Sequence, residues 1–329
     1  MATSSIQASL PVNAPAAGIP QRQVYLARLA WVVLGWNVLV AVWGALVRST
    51  GSGAGCGNHW PLCNGQVIPV SPTFHTIIEF THRMMTGASA FLVIGLLVLT
   101  LRWIPKPHPA RRAVTIAAIL LLVEALLGAL LVKLGYVTGN RSNGRVVMLA
   151  IHFTNTLLLL GSMTVSAWLL SGRRIGRITS LGWLTVAATI AVGVSGSLAA
   201  LGDTLFPTTS LRAAFAQDIS ASSPMILRLR GVHPLCVAVA AVLVLILVAK
   251  SRGGSQAAAQ LGRAVVALLV LQIVAGVVDL ALLAPWWMQL LHLLLADMYW
   301  IAVVLCVSAS TDNQSMESGA PASVPITAG

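Results

Sequence analysis

The stretch "VVMLAIHFTNTLLLLG", residues 146–161, reads as an apolar helix with one imidazole in it. It lines up with "WWMQLLHLLLADMYWI", residues 286–301, so that His152 falls on His292. The segment before each partner matches too. "VEALLGALLVKLG" (123–135) lies over "LQIVAGVVDLALL" (271–283), with Gly128 on Gly276 and Glu124 on Gln272. Earlier still, "EFTHRM" (79–84) answers "LRGVHPL" (229–235), with His82 on His233. The matches occur in the same order in both halves, so the chain reads as a tandem duplication.

Composition says what solvent the duplicated unit meets. Of 329 residues, 57% are hydrophobic and 9% charged, with a mean hydropathy of +0.87. Soluble domains carry about 25% charged residues, so the bulk of this apolar surface faces lipid. Eight apolar segments approach the ~20 residues that a spanning helix needs: 29–48, 76–101, 113–134, 146–170, 179–200, 230–250, 263–284 and 287–308. The predicted fold is all-α and integral to a membrane, with eight transmembrane helices arranged as two tandem four-helix bundles. Each bundle has an even number of spans, so both keep one orientation. They are then related by a pseudo-twofold axis along the membrane normal. The predicted organisation is a disordered N-terminus (1–25), a first half (26–172), a second half (173–310) and a disordered tail (311–329). No cleavable signal peptide is expected, because the first apolar run starts late and is full length.

The net charge of +12 and pI near 11 raise nucleic acid as a partner. The basic residues are scattered between apolar runs, which excludes it. They flank the spans as topology signals instead. With the N-terminus inside, twelve Lys and Arg fall on the cytoplasmic side and eight outside. Both termini are therefore predicted to be cytoplasmic. The eight outer residues include Arg48, Arg83, Arg141, Arg145, Arg228 and Arg230.

Four of the seven histidines, His82, His152, His233 and His292, sit on even-numbered spans about six or seven residues from the outer end. At 1.5 Å per residue that is roughly 10 Å below the outer surface for all four. Zinc asks for further Cys or carboxylate ligands. Haem iron takes two axial ligands on opposite faces of a flat apolar macrocycle, and bundle interiors commonly house such sites. Two pairs of histidines predict two haem sites, one per half. The outer arginines then read as clamps for haem propionates.

The halves differ in charge beside the first histidine of each pair. Three residues before His82 stands Glu79, whereas Arg230 stands three before His233. A carboxylate inside a membrane is costly and by default functional. Glu79 is read as a proton relay or as a stabiliser of positive charge on a substrate; a simple ion pair with Arg83, four residues on, is the structural alternative. Glu124, in the third span, is charged where the repeat has Gln272, and Lys133 is a candidate partner for it. Cys56 and Cys63 lie in the outer loop "GCGNHWPLCNG", where an oxidising compartment permits a disulfide, two free thiols being the alternative. Cys236 and Cys306 read as small apolar helix residues. The absence of CxxCH argues against covalently attached haem.

"GALVRSTGSGAGC" (44–56), "WPLCNGQVIP" (60–69) and "EFTHR" (79–83) together resemble the haem A synthase family. The resemblance runs from about residue 29 to 308. It implies oxidation of the C8 methyl of haem O to a formyl group, giving haem A for cytochrome oxidase. It also implies His82 and His152 as ligands of the substrate haem, with Arg48 and Arg83 beside it. By the same resemblance His233 and His292 hold a haem B cofactor, with Arg228 and Arg230 beside it, so that all four histidines are iron ligands. Glu79 matches the family's catalytic glutamate, and Cys56 and Cys63 match its first-loop cysteine pair. Members with a second pair carry it between spans five and six; "ALGDTLFPTTSLRAAFAQDISASSPM" (200–225) has no cysteine. The implied partners are haem O, delivered by a haem O synthase, an electron donor of unknown identity, the lipid membrane and, in some assemblies, a second copy of the chain. The implied location is a bacterial inner membrane with the haem sites toward the periplasm. Two other classes accommodate the histidine pairs: a membrane di-haem cytochrome b that only carries electrons, and a haem transporter or chaperone.

Overall fold

The computed structural model describes residues 20–251 and 256–317. Among them every regular element is a helix: α1 (Gln21–Ser49), α2 (Phe74–Trp103), α3 (Pro109–Lys133), α4 (Asn143–Leu170), α5 (Ser180–Leu205), α6 (Leu211–Ile219), α7 (Met225–Arg230), α8 (Val232–Ser251), α9 (Gln256–Ala281) and α10 (Trp286–Glu317). Eight helical stretches are long and apolar enough to cross a membrane, α7 and α8 together forming the sixth.

Several helices start where the sequence supplies a side-chain cap. The side chains of Thr73, Ser142 and Thr179 accept the backbone N–H groups of Thr76, Arg145 and Gly182, at 3.2, 3.3 and 3.1 Å. These bonds satisfy donors that the first turn leaves orphaned. At α3, His108 Nδ1 accepts from Ala110 N–H and Pro109 opens the helix, a position where its missing N–H costs nothing. The sixth span breaks at Gly231 because of Pro234. A proline ring has no N–H and collides with the carbonyl four residues back, which here belongs to Arg230.

The observed helices extend beyond the expected spans. α1 begins at Gln21, inside the segment expected to be disordered, and α10 continues to Glu317. The expectations for 1–19 and 318–329 lie outside the described residues. The segment between the fifth and sixth spans holds α6, capped by Ser210.

Outward faces carry large apolar side chains. Phe91 is 81% exposed, and Ile116, Ile119, Leu122, Leu126 and Leu130 line one face of α3. In water such a stripe would be core; in lipid it is the solvated surface. α4 and α10 are the most buried spans, and α3 and α9 the least, so α4 and α10 occupy the middle. Helix neighbours repeat between the halves: α1 packs on α2 as α5 packs on α8, and α3 on α4 as α9 on α10. The halves meet where Trp300 of α10 donates to Leu157 O of α4 at 2.8 Å. Its ring fills the notch at Gly161, where a Cβ would lie 3.1 Å from Cζ2.

Candidate functional site

The two larger packed clusters lie toward the end of the molecule where α1 begins. In the first half this core is built from Leu26, Leu34, Val93, Val114, Leu160 and Leu170; in the second it is built from Val244, Leu247, Val265, Val303 and Val307. A smaller cluster, Val146, Leu198, Leu201, Ile226 and Leu227, packs at the opposite end, and between the two the pattern of burial lapses on several helices. The inner face of α1 is buried at Val33, Leu34, Asn37 and Val38, yet every residue from 40 to 50 is half-buried. The same holds for 192–197 of α5, and on α8 the first buried residue after His233 is Ala240. A filled bundle would repeat its buried positions every 3.6 residues. Here that repeat lapses on α1, α5 and α8, and all four histidines lie near this level.

His82, His152, His233 and His292 are each half-buried and lie within about three turns of the start of their span. Each ring faces a glycine on the preceding span. A Cβ on Gly44 of α1 would sit 3.2 Å from His82 Cε1, and one on Gly128 of α3 3.9 Å from His152 Cε1. In the second half, a Cβ on Gly196 of α5 would sit 2.9 Å from His233 Cε1, and one on Gly276 of α9 3.1 Å from His292 Cε1. The glycines allow the rings to lie flat against a neighbouring backbone. The sequence alignment singled out Gly128 and Gly276; Gly44 and Gly196 were missed. Aligning 44–50 with 196–202 would have found them. His82 and His152 lie near enough to act on one another electrostatically, as do His233 and His292. The Nδ1 atoms of His82, His152 and His292 are buried without a hydrogen-bond partner. No group of three or more His, Cys, Asp or Glu able to hold a metal ion occurs among the described residues.

Glu79 is 3% exposed. Its Oε1 accepts from Arg83 at 2.5 Å, and its Oε2 accepts the backbone N–H of Cys56 at 2.8 Å. Cys56 is disulfide-bonded to Cys63. Arg83 also donates to the carbonyls of His59 and Leu62, at 3.0 and 2.6 Å. The glutamate, the arginine and the first loop thus form one unit over the first pair of histidines. Gly55 permits the approach, because a Cβ there would collide with the backbone of His75 and Thr76. The sequence presented Glu79 and the cysteines as separate features.

The arginines have partners within the protein. Arg48 of α1 reaches into the second half, donating to Ala200 O (2.6 Å) and Thr204 Oγ1 (2.7 Å) of α5 and to Gln289 Oε1 (2.9 Å) of α10. Arg230 is held by Asp203 at 2.8 Å, by Asp218 at 2.7 Å and by Gln217. Arg228 donates to Ala221 O at 2.5 Å, Arg145 to Asn140 O at 2.9 Å and Arg141 to Leu205 O at 3.4 Å. Lys133 does not pair with Glu124; its Nζ donates to Asn58 O at 3.0 Å. Glu124 instead accepts from Asn155 Nδ2 at 2.7 Å and from Thr156 Oγ1, and its Oε2 lies 3.6 Å from His152 Nδ1. In the other half, Gln272 Nε2 lies 3.3 Å from His292 Nε2 and donates to His292 O, and Ser195 Oγ lies 3.1 Å from His233 Nδ1.

Comparison with known proteins gives a match to the COX15-CtaA family, described as cytochrome oxidase assembly protein, over residues 27–304. A "Protoheme IX farnesyltransferase" of Thermus thermophilus is 41% identical over 298 residues, covering 88% of this chain and 49% of that one. A "Heme A synthase" of Shouchella clausii is 36% identical over 140 residues, covering 43% of this chain and 44% of that one. Another "Heme A synthase", of Bacillus pumilus, is 40% identical over 134 residues, 40% of each chain. The chain spans about half the length, or less, of the curated relatives it matches.

Proposed function

Because the chain belongs to the COX15-CtaA cytochrome oxidase assembly family, we propose that it is a haem A synthase, which oxidises the C8 methyl of haem O to a formyl group. The observation that carries this reading is the fourfold histidine–glycine arrangement on helix stretches that are only half-buried. A haem needs a flat slot, apolar walls and an imidazole on each face. The glycine-backed rings, the free Nδ1 atoms and the half-burial at that level fit those needs. His82 and His152 hold the substrate haem; His233 and His292 hold haem B. When bound, haem B supplies one-electron redox chemistry. The repeated helix pairing supports a duplicated architecture with a pseudo-twofold axis along the membrane normal. The Lys and Arg distribution favours cytoplasmic termini and haem sites toward the periplasm of a bacterial inner membrane.

Conversion of the methyl to the aldehyde would remove four electrons from one carbon in two two-electron stages, with four protons released from the methyl and water, the oxygen taken from water and the electrons passed to an external acceptor. Positive charge develops there, and a preorganised carboxylate nearby stabilises it. Glu79 has that role, anchored by Arg83 and the Cys56 N–H so that its charge needs no reorganisation. The loop closed by Cys56–Cys63 is tied to the same carboxylate through the Cys56 N–H.

Propionate binding by the arginines requires each to exchange a partner it already has. For Arg48, Arg83 and Arg228 those partners are mostly neutral carbonyl, hydroxyl or amide oxygens. Arg230 would have to leave two carboxylates, which makes it the least available of the four.

Haem O is the product expected of a protoheme IX farnesyltransferase, and the Thermus relative of that name carries about as much chain again beyond the matched part. We assign this chain to the oxidation that follows farnesyl transfer. Prenyl transfer itself ordinarily uses carboxylate-bound Mg²⁺ to hold a diphosphate, and the described residues contain no acidic cluster for it.

The test is pigment extraction from protein produced alongside a source of haem O. Haem A, with the hydroxylated intermediate, is the expected product. Only B-type haem would make the protein an electron carrier; unmodified haem O bound and released reversibly would make it a carrier of haem.

Substitution of the cradle glycines checks the site without touching a ligand. Gly196→Ala puts a methyl 2.9 Å from His233 Cε1 and 3.3 Å from Nδ1, so the ring must turn. The variant is expected to lose most of its tightly bound haem while keeping its helical content. Gly35→Ala, with nothing within 4 Å of the added carbon, should keep its haem and gain up to about 1 kcal/mol of helix propensity. Haem-to-protein ratios of the two variants decide it.

A further inference from the structure

Glu124 and Gln272 occupy equivalent places in the repeat, one turn before Gly128 and Gly276, and each faces the histidine of the following span. The surroundings of the two histidines differ in charge. Among the described residues His152 is the only histidine with a carboxylate at ion-pair distance, Glu124 Oε2 at 3.6 Å from Nδ1. The other histidines proposed as ligands have neutral neighbours where any is present: the Ser195 hydroxyl beside His233 and the Gln272 amide beside His292. Glu124 is held from the far side by Asn155 and Thr156, which lie on the same helix as His152. Its carboxylate is therefore fixed relative to the ring.

Resting on the reading of His82 and His152 as ligands, we infer that Glu124 is a positioning residue that makes a haem in the first half easier to oxidise than the same haem in the second. An imidazole that binds iron through Nε2 carries its proton on Nδ1, and His152 Nδ1 has no other partner. At 3.6 Å the carboxylate is just beyond hydrogen-bond range; a small turn of the ring closes the gap. A carboxylate acceptor at Nδ1–H orients the ring and raises the basicity of the coordinating nitrogen. A more basic ligand favours ferric over ferrous iron. The neutral partners in the second half lack this effect: the Ser195 hydroxyl lies at His233 Nδ1, and the Gln272 amide lies at His292 Nε2, a nitrogen it would have to vacate for iron, while His292 Nδ1 has no carboxylate beside it.

Of the other charged groups among the described residues toward this end and on α9 and α10, Arg48, Asp279 and Asp297 have no opposite charge at ion-pair distance, whereas two sets are paired. Glu79 is paired with Arg83, and Arg230 with Asp203 and Asp218. With haems held at both pairs of histidines, that order of potentials would favour one-electron transfer from the first half to the second. That is the direction needed if electrons leave a substrate in the first half.

The test uses the full chain with His233→Ala, so that added haem B reports on the first site alone. Its midpoint potential and low-spin ferric spectrum are measured with Glu124, with Glu124→Gln and with Glu124→Asp. Glu124→Gln is expected to lower the ferric-to-ferrous ratio at fixed potential by about tenfold, an upward shift of about 59 mV for a one-electron couple. Glu124→Asp, which keeps the charge but withdraws it, should shift it the same way by less. An unchanged potential with normal low-spin haem overturns the inference and leaves the ligand reading standing. A haem spectrum that survives His152→Ala overturns the ligand reading, and the inference with it. Loss of haem from both Glu124 variants would make the residue a structural one and would also overturn the inference.

Discussion

Replacing Glu79 by Gln is expected to cut haem A formation by about 10²–10³-fold while leaving both haems bound. That range corresponds to the ~3–4 kcal/mol that a preorganised polar group contributes at a developing charge in a water-poor site. The substitution keeps the shape of the side chain. Its amide oxygen can still accept the Cys56 N–H, and Arg83 keeps the carbonyls of His59 and Leu62. The first loop therefore retains most of its anchors, and a loss of turnover reads as loss of charge more than loss of structure. Accumulation of the hydroxylated intermediate would locate the effect at the later oxidation. The structure also contains the alternative in full: Glu79 and Arg83 form an ion pair at 2.5 Å. A Glu79→Gln enzyme that made haem A at the normal rate would leave the pair as a loop anchor and nothing more.

Removal of an axial ligand should have the other large effect. His233→Ala and His292→Ala are each expected to abolish tightly held haem B, because one imidazole does not fill both axial positions of a low-spin iron. His82→Ala and His152→Ala should spare that haem and lose the substrate haem. Absorption spectra of the four purified variants separate the sites. If all four kept wild-type low-spin spectra, the assignment of ligands would be wrong. The glycines sharpen the comparison, since each ring is backed by a different helix and its loss opens a different side of the slot.

The membrane class and most of the spans could be read without coordinates. Long apolar runs have few alternatives in lipid, where each backbone group must be satisfied within its own helix. The histidines were equally legible, because an imidazole in an apolar run is rare enough to stand out in four matched places. Their depth was less so: α2, α4 and the α7–α8 span begin earlier than hydropathy suggested, since caps at Thr73 and Ser142 and the break at Gly231 set the ends. Of the partners of charged groups, the Glu79–Arg83 pair, four residues apart on one helix, could be read from spacing; partners across helices could not. Arg48 bonds to residues more than a hundred positions away, Lys133 binds a first-loop carbonyl instead of Glu124, and Arg230 finds two acids in the loop containing α6 and at the end of α5. Long flexible side chains choose partners by proximity in three dimensions, and period or spacing along one helix carries no record of that choice. The union of Glu79 with the disulfide loop has the same origin. A backbone N–H at Cys56 is chemically identical to every other in the chain, and only the fold brought it to within 2.8 Å of the carboxylate.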